Sequence, residues 1–176
     1  MAEGRPGLGR QLRAIGPLPF VATVVVPFVL CLAWGADLGW GLPGIGTAAA
    51  VLAGAIAVIA GVALVWRTVS LFGSVGEGTL APWDPTRRLV VRGPYRNVRN
   101  PMITGVALVL AGETLVLGSP AILAELGIFA LLNGLYIPLV EEPGLIRRFG
   151  DEYVAYRAAV PRWVPRRNPW TPGRGG

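Results

Sequence analysis

Two clusters of polar residues flank apolar stretches of the chain, and their side chains are of the types that bind polar ligands. The first cluster lies in residues 92–102 (RGPYRNVRNPM), where Tyr95 and Arg99 stand just ahead of an apolar stretch. The second begins with Glu141 and Glu142, directly after another apolar stretch. A carboxylate near the C-terminal end of a helix opposes the helix dipole, so two adjacent ones need partners. Either the arginines of the first cluster pair with them, or they accept hydrogen bonds from hydroxyl or amino groups of a ligand.

Several kinds of chemistry are excluded by the residues that the chain lacks. It contains no histidine, and Cys31 is the one cysteine. A disulfide within the chain and a Cys/His metal site are therefore impossible, and we expect no bound metal. Histidine-based acid–base catalysis and catalytic triads are excluded as well.

The composition predicts an all-α integral membrane protein. The 176 residues are 53% hydrophobic and only 15% charged, whereas soluble domains carry about 25% charged residues. Four segments approach the roughly 20 apolar residues that a spanning helix needs. These predicted spans are residues 17–35, 44–66, 101–117 and 121–140. Only Gly118-Ser119-Pro120 separates the last two, which predicts a tight C-terminal helical hairpin within a single membrane domain covering residues 1–176.

The arginines predict the orientation in the membrane. All sixteen basic residues are arginines, and they fall before the first span, in the loop 67–100 or in the tail 141–176. The positive-inside rule therefore places both termini and this loop in the cytoplasm. The arginine-only, Gly- and Ala-rich composition favours a bacterial inner membrane. Because orientation explains the basic excess, we expect no nucleic-acid partner.

Further polar or patterned segments allow two interpretations each. The glycine-rich residues 76–82 either wrap a small anion or form a plain connector. The tail is predicted to form two short interfacial helices, separated at Gly150 with Asp151 as N-cap, that either anchor the chain or cover a pocket. Glu113 is either a site residue, because ionisable groups in membrane helices are rare, or a residue that reaches water near the short turn at residues 118–120. Asn133 is expected to form a hydrogen bond between helices. The small residues of the second span allow close helix packing, and an oligomer is possible.

At the two polar clusters the sequence resembles the isoprenylcysteine carboxyl methyltransferase family and its bacterial relatives, a group similar to the phospholipid N-methyltransferases. The family pattern reads G-P-Y-x-x-x-R-H-P-x-Y-x-G, then a helical hairpin, then E-E-x-x-L-x-x-x-F-G-x-E-Y-x-x-Y-x-x-x-V-P. The first part is matched by Gly93, Pro94, Tyr95, Arg99, Pro101 and Gly105. The second part is matched by Glu141, Glu142, Leu145, Phe149, Gly150, Glu152, Tyr153, Tyr156, Val160 and Pro161. The resemblance covers about residues 76–165.

The resemblance implies an enzyme that binds S-adenosylmethionine at the cytoplasmic end of the hairpin and methylates a lipophilic substrate or lipid. It implies a cofactor pocket lined by the following residues: Tyr95, Arg99, Asn100, Glu141, Glu142 and Tyr153. Of these, Arg99, Asn100 and Glu142 are the expected catalytic residues. The sequence departs from the pattern at Asn100, which replaces a histidine, and at Ile103, which replaces a tyrosine. Both changes weaken the inference about the acceptor more than the inference about the cofactor.

The methyl acceptor is left open among a carboxylate, a thiol and an amine. A sulfonium is already activated, so methyl transfer needs positioning and water exclusion more than a strong acid or base. Two alternatives remain from the residues alone. One is a non-catalytic lipid-binding or assembly protein on the same scaffold, and the other is a membrane reductase that uses a nicotinamide cofactor.

Overall fold

The described part of the chain is helical. The structure is a computed structural model that describes residues 17–75 and 89–171, and these residues contain no β-strand. Its helices are α1 (Pro17–Trp34), α2 (Ile45–Val75), α3 (Pro101–Leu117), α4 (Pro120–Phe149) and α5 (Asp151–Ala159). Helices α1, α2 and α4 are long and apolar enough to cross a membrane, and α3 is a shorter apolar helix. The predicted all-α membrane fold is confirmed.

Two helices extend beyond the predicted spans. Helix α2 continues to Val75, so the first nine residues of the predicted loop 67–100 are helical. Helix α4 continues through Glu141 and Glu142 to Phe149. The helix-dipole cost expected for these two glutamates therefore does not arise, because they lie within a helix and not at its end. The glycine-rich residues 76–82 lie outside the described residues.

Prolines widen α1 and α4 locally. A proline cannot donate a backbone hydrogen bond, and its ring clashes with the carbonyl four residues earlier. The residue before Pro27 donates its amide to Val21, and the residue before Pro143 donates its amide to Ile137, both five residues back. Each π-helical turn thus accommodates a proline without ending the helix. The π-helical turn in α4 lies directly before Glu142.

One compact unit, called here the glycine unit, contains Pro17–Val65 and Ile103–Gly134. Helices α2 and α3 approach each other there through glycines. A Cβ atom built on Gly54 would lie 2.6 Å from the carbonyl oxygen of Gly112, and one built on Gly61 would lie 2.6 Å from that of Gly105. The small residues of the second span were predicted to allow close helix packing, and they do pack closely against α3.

The turn between α3 and α4 also belongs to the glycine unit and requires a glycine. Gly118 has a φ of 55°, a conformation that other residues rarely adopt. A Cβ at this position would lie 2.0 Å from the carbonyl oxygen of Asp37. The amide of Asp37 donates in turn to the carbonyl of Leu117, which fixes the predicted tight hairpin.

The second compact unit, called here the tyrosine unit, contains Trp66–Met102 and Leu135–Gly176 in their described parts. Its core is formed by Tyr153, Tyr156 and Val160, against which Leu145 and Trp170 pack. All six predicted cofactor residues fall in this unit. The prediction of a single membrane domain over residues 1–176 stays a prediction.

The predicted break of the tail at Gly150 is confirmed, but the first helical segment of the tail is the end of α4, and the predicted N-cap is wrong. The helical segment that begins at Glu142 ends at Phe149, and α5 spans Asp151–Ala159. Gly150 is the N-cap of α5, with a φ of 55°, and Asp151 is the first helical residue. The backbone needs a left-handed residue at the break, and glycine adopts this conformation at little cost.

Candidate functional site

Glu142 is a buried carboxylate surrounded by arginines. Its side chain is only 4% exposed. Its Oε1 atom accepts hydrogen bonds from Arg99 Nη1 and from Arg162 Nε, each at 2.9 Å. Arg157 Nη1 lies 3.8 Å from its Oε2 atom. A buried carboxylate is stable only when it is paired, and Glu142 obtains its partners from three arginines of its own chain.

One side-chain nitrogen of Arg99 donates to Glu142, and another has no hydrogen-bond partner among the described residues. A turn at Gly93–Arg96 and the start of α3 at Pro101 place Arg99 in the short segment between them. Its amide donates to the carbonyl of Pro161 at 2.9 Å, which fixes the backbone. The side chain is 10% exposed, and its Nε atom is buried without a hydrogen-bond partner among the described residues. A buried donor of this kind costs free energy unless a ligand or water accepts its hydrogen.

Glu141 differs from its neighbour Glu142 although the two residues are identical in type. It is partly buried, and it forms no hydrogen bond or ion pair with the described residues. Its charge acts on Tyr95, which is therefore nearby. Glu141 is thus a carboxylate next to the arginine cluster whose hydrogen-bonding capacity is unused within the described chain.

Three tyrosines stabilise the same region. The hydroxyl of Tyr156 donates to the carbonyl of Tyr95 at 2.7 Å, and its ring centroid lies 6.1 Å from that of Tyr153. Burial raises the pKa of both Tyr95 and Tyr156 above its usual range. Burial also raises the pKa of Tyr153, and the charge of Glu142 adds to this effect whereas Arg99 opposes it. All three therefore stay neutral at physiological pH and retain their hydroxyl hydrogens.

Hydrogen bonds join the segment after α5 to the segment that carries Arg99. Trp170 donates its amide to the carbonyl of Arg96, and Arg96 Nε donates to the carbonyl of Trp170 at 2.7 Å. Asn97 exchanges two bonds with Arg166: Asn97 Nδ2 donates to its carbonyl at 2.8 Å, and the Arg166 amide donates to the carbonyl of Asn97 at 2.9 Å. The tail thus fixes the segment that carries Arg99.

Five of the six predicted cofactor residues interact within the tyrosine unit. Tyr95, Arg99, Glu141, Glu142 and Tyr153 are linked through the bonds and charges described above. Asn100 is partly buried and lies directly before Pro101, the first residue of α3. The two clusters recognised in the sequence therefore lie against each other.

The contribution of the tail arginines to the site was not predicted from the sequence. Arg157, Arg162 and Arg166 were interpreted only as determinants of orientation, yet the first two face Glu142. The signal that could have identified them is the need of two adjacent carboxylates for cationic partners.

The two polar residues singled out inside the apolar helices belong to the glycine unit. Asn133 donates to the carbonyl of Phe129 in its own helix, at 2.8 Å, and the predicted bond between helices is therefore wrong. Glu113 has one carboxylate oxygen that is buried without a partner among the described residues. Neither residue is in the unit that holds the Glu142 cluster.

Comparison with known proteins gives one match. The family model described as phospholipid methyltransferase matches residues 49–152, which is more than half of the chain. The matched region includes residues 92–102, Glu141 and Glu142, and it ends one residue before Tyr153. No curated protein and no solved structure matches the chain.

Proposed function

Because the chain belongs to the phospholipid methyltransferase family, we propose that it transfers a methyl group from S-adenosylmethionine to a lipophilic acceptor in the membrane. The family is one of membrane methyltransferases, and three helices of the described chain are apolar and long enough to span a membrane. The chain is therefore an integral membrane protein of a methyltransferase family. The methyl donor, the site residues and the class of acceptor are the proposed part.

The observation that carries the proposal is the pair of unused polar groups beside the arginine cluster. Arg99 Nε is a buried donor without a partner among the described residues, and Glu141 is an acceptor without one. S-adenosylmethionine has a carboxylate for the arginine and an ammonium group and ribose hydroxyls for the glutamate. The residues present therefore fit this cofactor.

The remaining proposed site residues complete the pocket. Tyr95 offers an aromatic face for the adenine or the sulfonium, and Tyr153 supports the site from the core beside Tyr156. Asn100 can donate and accept hydrogen bonds, but it does not titrate and cannot act as a base. Of the three expected catalytic residues, Arg99 and Asn100 are proposed to touch the cofactor, whereas Glu142 is engaged by arginines.

The chemistry needs position more than acid–base catalysis. When bound, S-adenosylmethionine would supply a methyl group on a sulfonium, and an acceptor would take up this methyl as the neutral thioether leaves. Arg99 and Glu141 would hold the cofactor's polar groups so that the methyl group faces the acceptor. A carboxylate or thiolate acceptor needs no base. An amine acceptor must lose a proton, and Glu141 is the carboxylate with capacity to take it.

We place this site on the cytoplasmic side of a bacterial inner membrane. The support is the distribution of the arginines, which are absent from the two short segments on the other side of the predicted spans. A lipophilic acceptor would reach the site from the bilayer.

Binding of S-adenosylmethionine to the purified protein in detergent tests the proposal. Isothermal titration should detect binding by the wild-type protein, and Glu141→Gln should weaken it at least tenfold because a charged acceptor is lost. Glu152→Gln is the matched control, since Glu152 is exposed on α5. Absence of binding would favour a non-catalytic membrane protein, and tight binding of a nicotinamide cofactor instead would favour a reductase.

A further inference from the structure

We infer that Arg162 is a positioning residue for the methyl-donor site and acts on Arg99 through Glu142. This inference rests on the proposed function, because it assigns a role to a residue that supports the same site. Arg162 lies ten residues beyond the region that the family model matches, which ends at residue 152. The inference therefore concerns a part of this chain about which the family match says nothing.

The geometry at Glu142 Oε1 gives the reason. Arg99 Nη1 and Arg162 Nε both donate to this single oxygen at 2.9 Å. An arginine and a carboxylate otherwise prefer two parallel hydrogen bonds, for which Nε is commonly one of the donors. Arg99 reaches Glu142 through Nη1 alone while Arg162 donates to the same oxygen, and Arg99 Nε has no hydrogen-bond partner among the described residues.

Loss of Arg162 would change this arrangement. Glu142 would have one close partner left, since Arg157 lies 3.8 Å from Oε2 and is 43% exposed. Glu142 could then turn to form the two-bond pair with Arg99 and consume the Nε donor that the cofactor carboxylate needs. Arg162 thus keeps Arg99 available without touching the cofactor.

The backbone places Arg162 for this role. Val160 is buried in the core of the tyrosine unit, and the carbonyl of Pro161 accepts the amide of Arg99 at 2.9 Å. The residue that follows Pro161 is therefore fixed beside the Arg99 segment. The Arg162 side chain is 28% exposed, so its loss leaves less of a cavity than loss of a fully buried side chain.

The experiment measures the dissociation constant for S-adenosylmethionine by isothermal titration on the full chain in detergent. Arg162→Gln should weaken binding about tenfold, and Arg162→Lys should restore at least part of it, because an ammonium can still occupy Glu142 Oε1. Arg167→Gln is the matched control: it removes one arginine charge from an exposed position of the same tail and should leave binding unchanged.

A double-mutant cycle separates positioning from folding. Glu142→Gln leaves only one acceptor oxygen at this position, so the two-bond pair with Arg99 cannot form. In the Glu142→Gln background, Arg162→Gln should therefore raise the dissociation constant less than twofold. Melting temperatures of all variants show whether they are folded, and Arg162→Lys keeps the proposal testable if Arg162→Gln fails to fold, because it leaves a cation beside Glu142.

The outcomes distinguish the two proposals. If the wild-type protein does not bind S-adenosylmethionine, the proposed function is contradicted, and this inference falls with it. If the wild type binds but Arg162→Gln binds equally well, or if the effects of the two substitutions simply multiply, only the positioning role of Arg162 is contradicted.

Discussion

Glu141 and Glu142 show how two adjacent identical residues acquire different roles. Glu142 is buried and paired with arginines, whereas Glu141 is partly exposed and has no partner among the described residues. Successive residues of a helix point about 100° apart around its axis, so only one of the two can face the arginines. The pair therefore combines one carboxylate that orders the site with one that is free to bind.

Tyr156 offers a test of the contacts that stabilise the Arg99 segment. Tyr156→Phe removes the hydroxyl that donates to the carbonyl of Tyr95. A hydrogen bond of this kind contributes about 0.5–1.5 kcal/mol, so we expect the melting temperature to fall by roughly 1–6 °C.

Tyr136→Phe is the control for this substitution. Tyr136 is 51% exposed and forms no hydrogen bond with the described residues, so its melting temperature should match the wild type. An equal loss in both variants, measured by differential scanning fluorimetry, would contradict the role assigned to the Tyr156 hydroxyl.

At this scale the sequence identified the members of the site but not their pairing. Arg99, Glu141 and Glu142 were recognisable because they stand where apolar stretches begin and end and match the spacing of the family pattern. Which arginine meets which carboxylate depends on how the tail returns along the Arg99 segment, through bonds such as that between Arg99 and Pro161. No local pattern in the sequence encodes a contact between residues so far apart along the chain.

At the scale of elements, glycines and prolines set the geometry of the helices. Gly54 and Gly61 are seven residues apart on α2, and they meet Gly112 and Gly105, seven apart on α3. Seven residues are close to two helical turns, so each pair lies along one face. The small-residue pattern was visible in the sequence, but its partner helix was not.

The contact between α2 and α3 predicts the effect of a single methyl group. Gly61→Ala would place a Cβ 2.6 Å from the carbonyl oxygen of Gly105, and overpacking of this kind costs about 1–3 kcal/mol. We expect a lower melting temperature in detergent. Gly127→Ala, where a Cβ meets nothing within 4 Å, should be neutral or slightly stabilising. A stable Gly61→Ala variant would contradict the close approach of the two helices.

Helix ends were harder to predict than helix centres. The span prediction ended α2 near Trp66 and α4 near Val140, because hydrophobicity falls there, but both helices continue. Hydrophobicity reports where a helix would leave the membrane, whereas the helical hydrogen bonds can continue into water. The extension of α4 matters most, since it brings Glu142 into a helix that faces the tail.

At the scale of the whole molecule, the arginine distribution predicts which ends of the helices face the cytoplasm. The arginines lie before α1, from Arg67 near the end of α2 to the start of α3, and from Arg147 near the end of α4 onward, and the connecting segments between α1 and α2 and between α3 and α4 hold none. This asymmetry is the strongest orientation signal that a sequence can carry.

Cysteine labelling tests this orientation. In a Cys31→Ala background, Leu38→Cys and Val164→Cys each introduce one thiol at a well-exposed position. A membrane-impermeant maleimide should label Leu38→Cys in intact bacterial cells, and it should label Val164→Cys only after the cells are permeabilised. The reverse pattern would contradict the cytoplasmic placement of the tail.

The most direct test of the account is transfer of a labelled methyl group from S-adenosylmethionine to a membrane lipid. The purified protein is reconstituted in lipid vesicles made from bacterial membrane extract, and label is measured in the organic phase. We expect the wild-type protein to incorporate label, and Arg99→Gln to reduce it at least tenfold because the buried donor to the cofactor is lost. Equal incorporation by the Arg99→Gln variant, or none by a folded wild-type protein that binds the cofactor, would contradict the account.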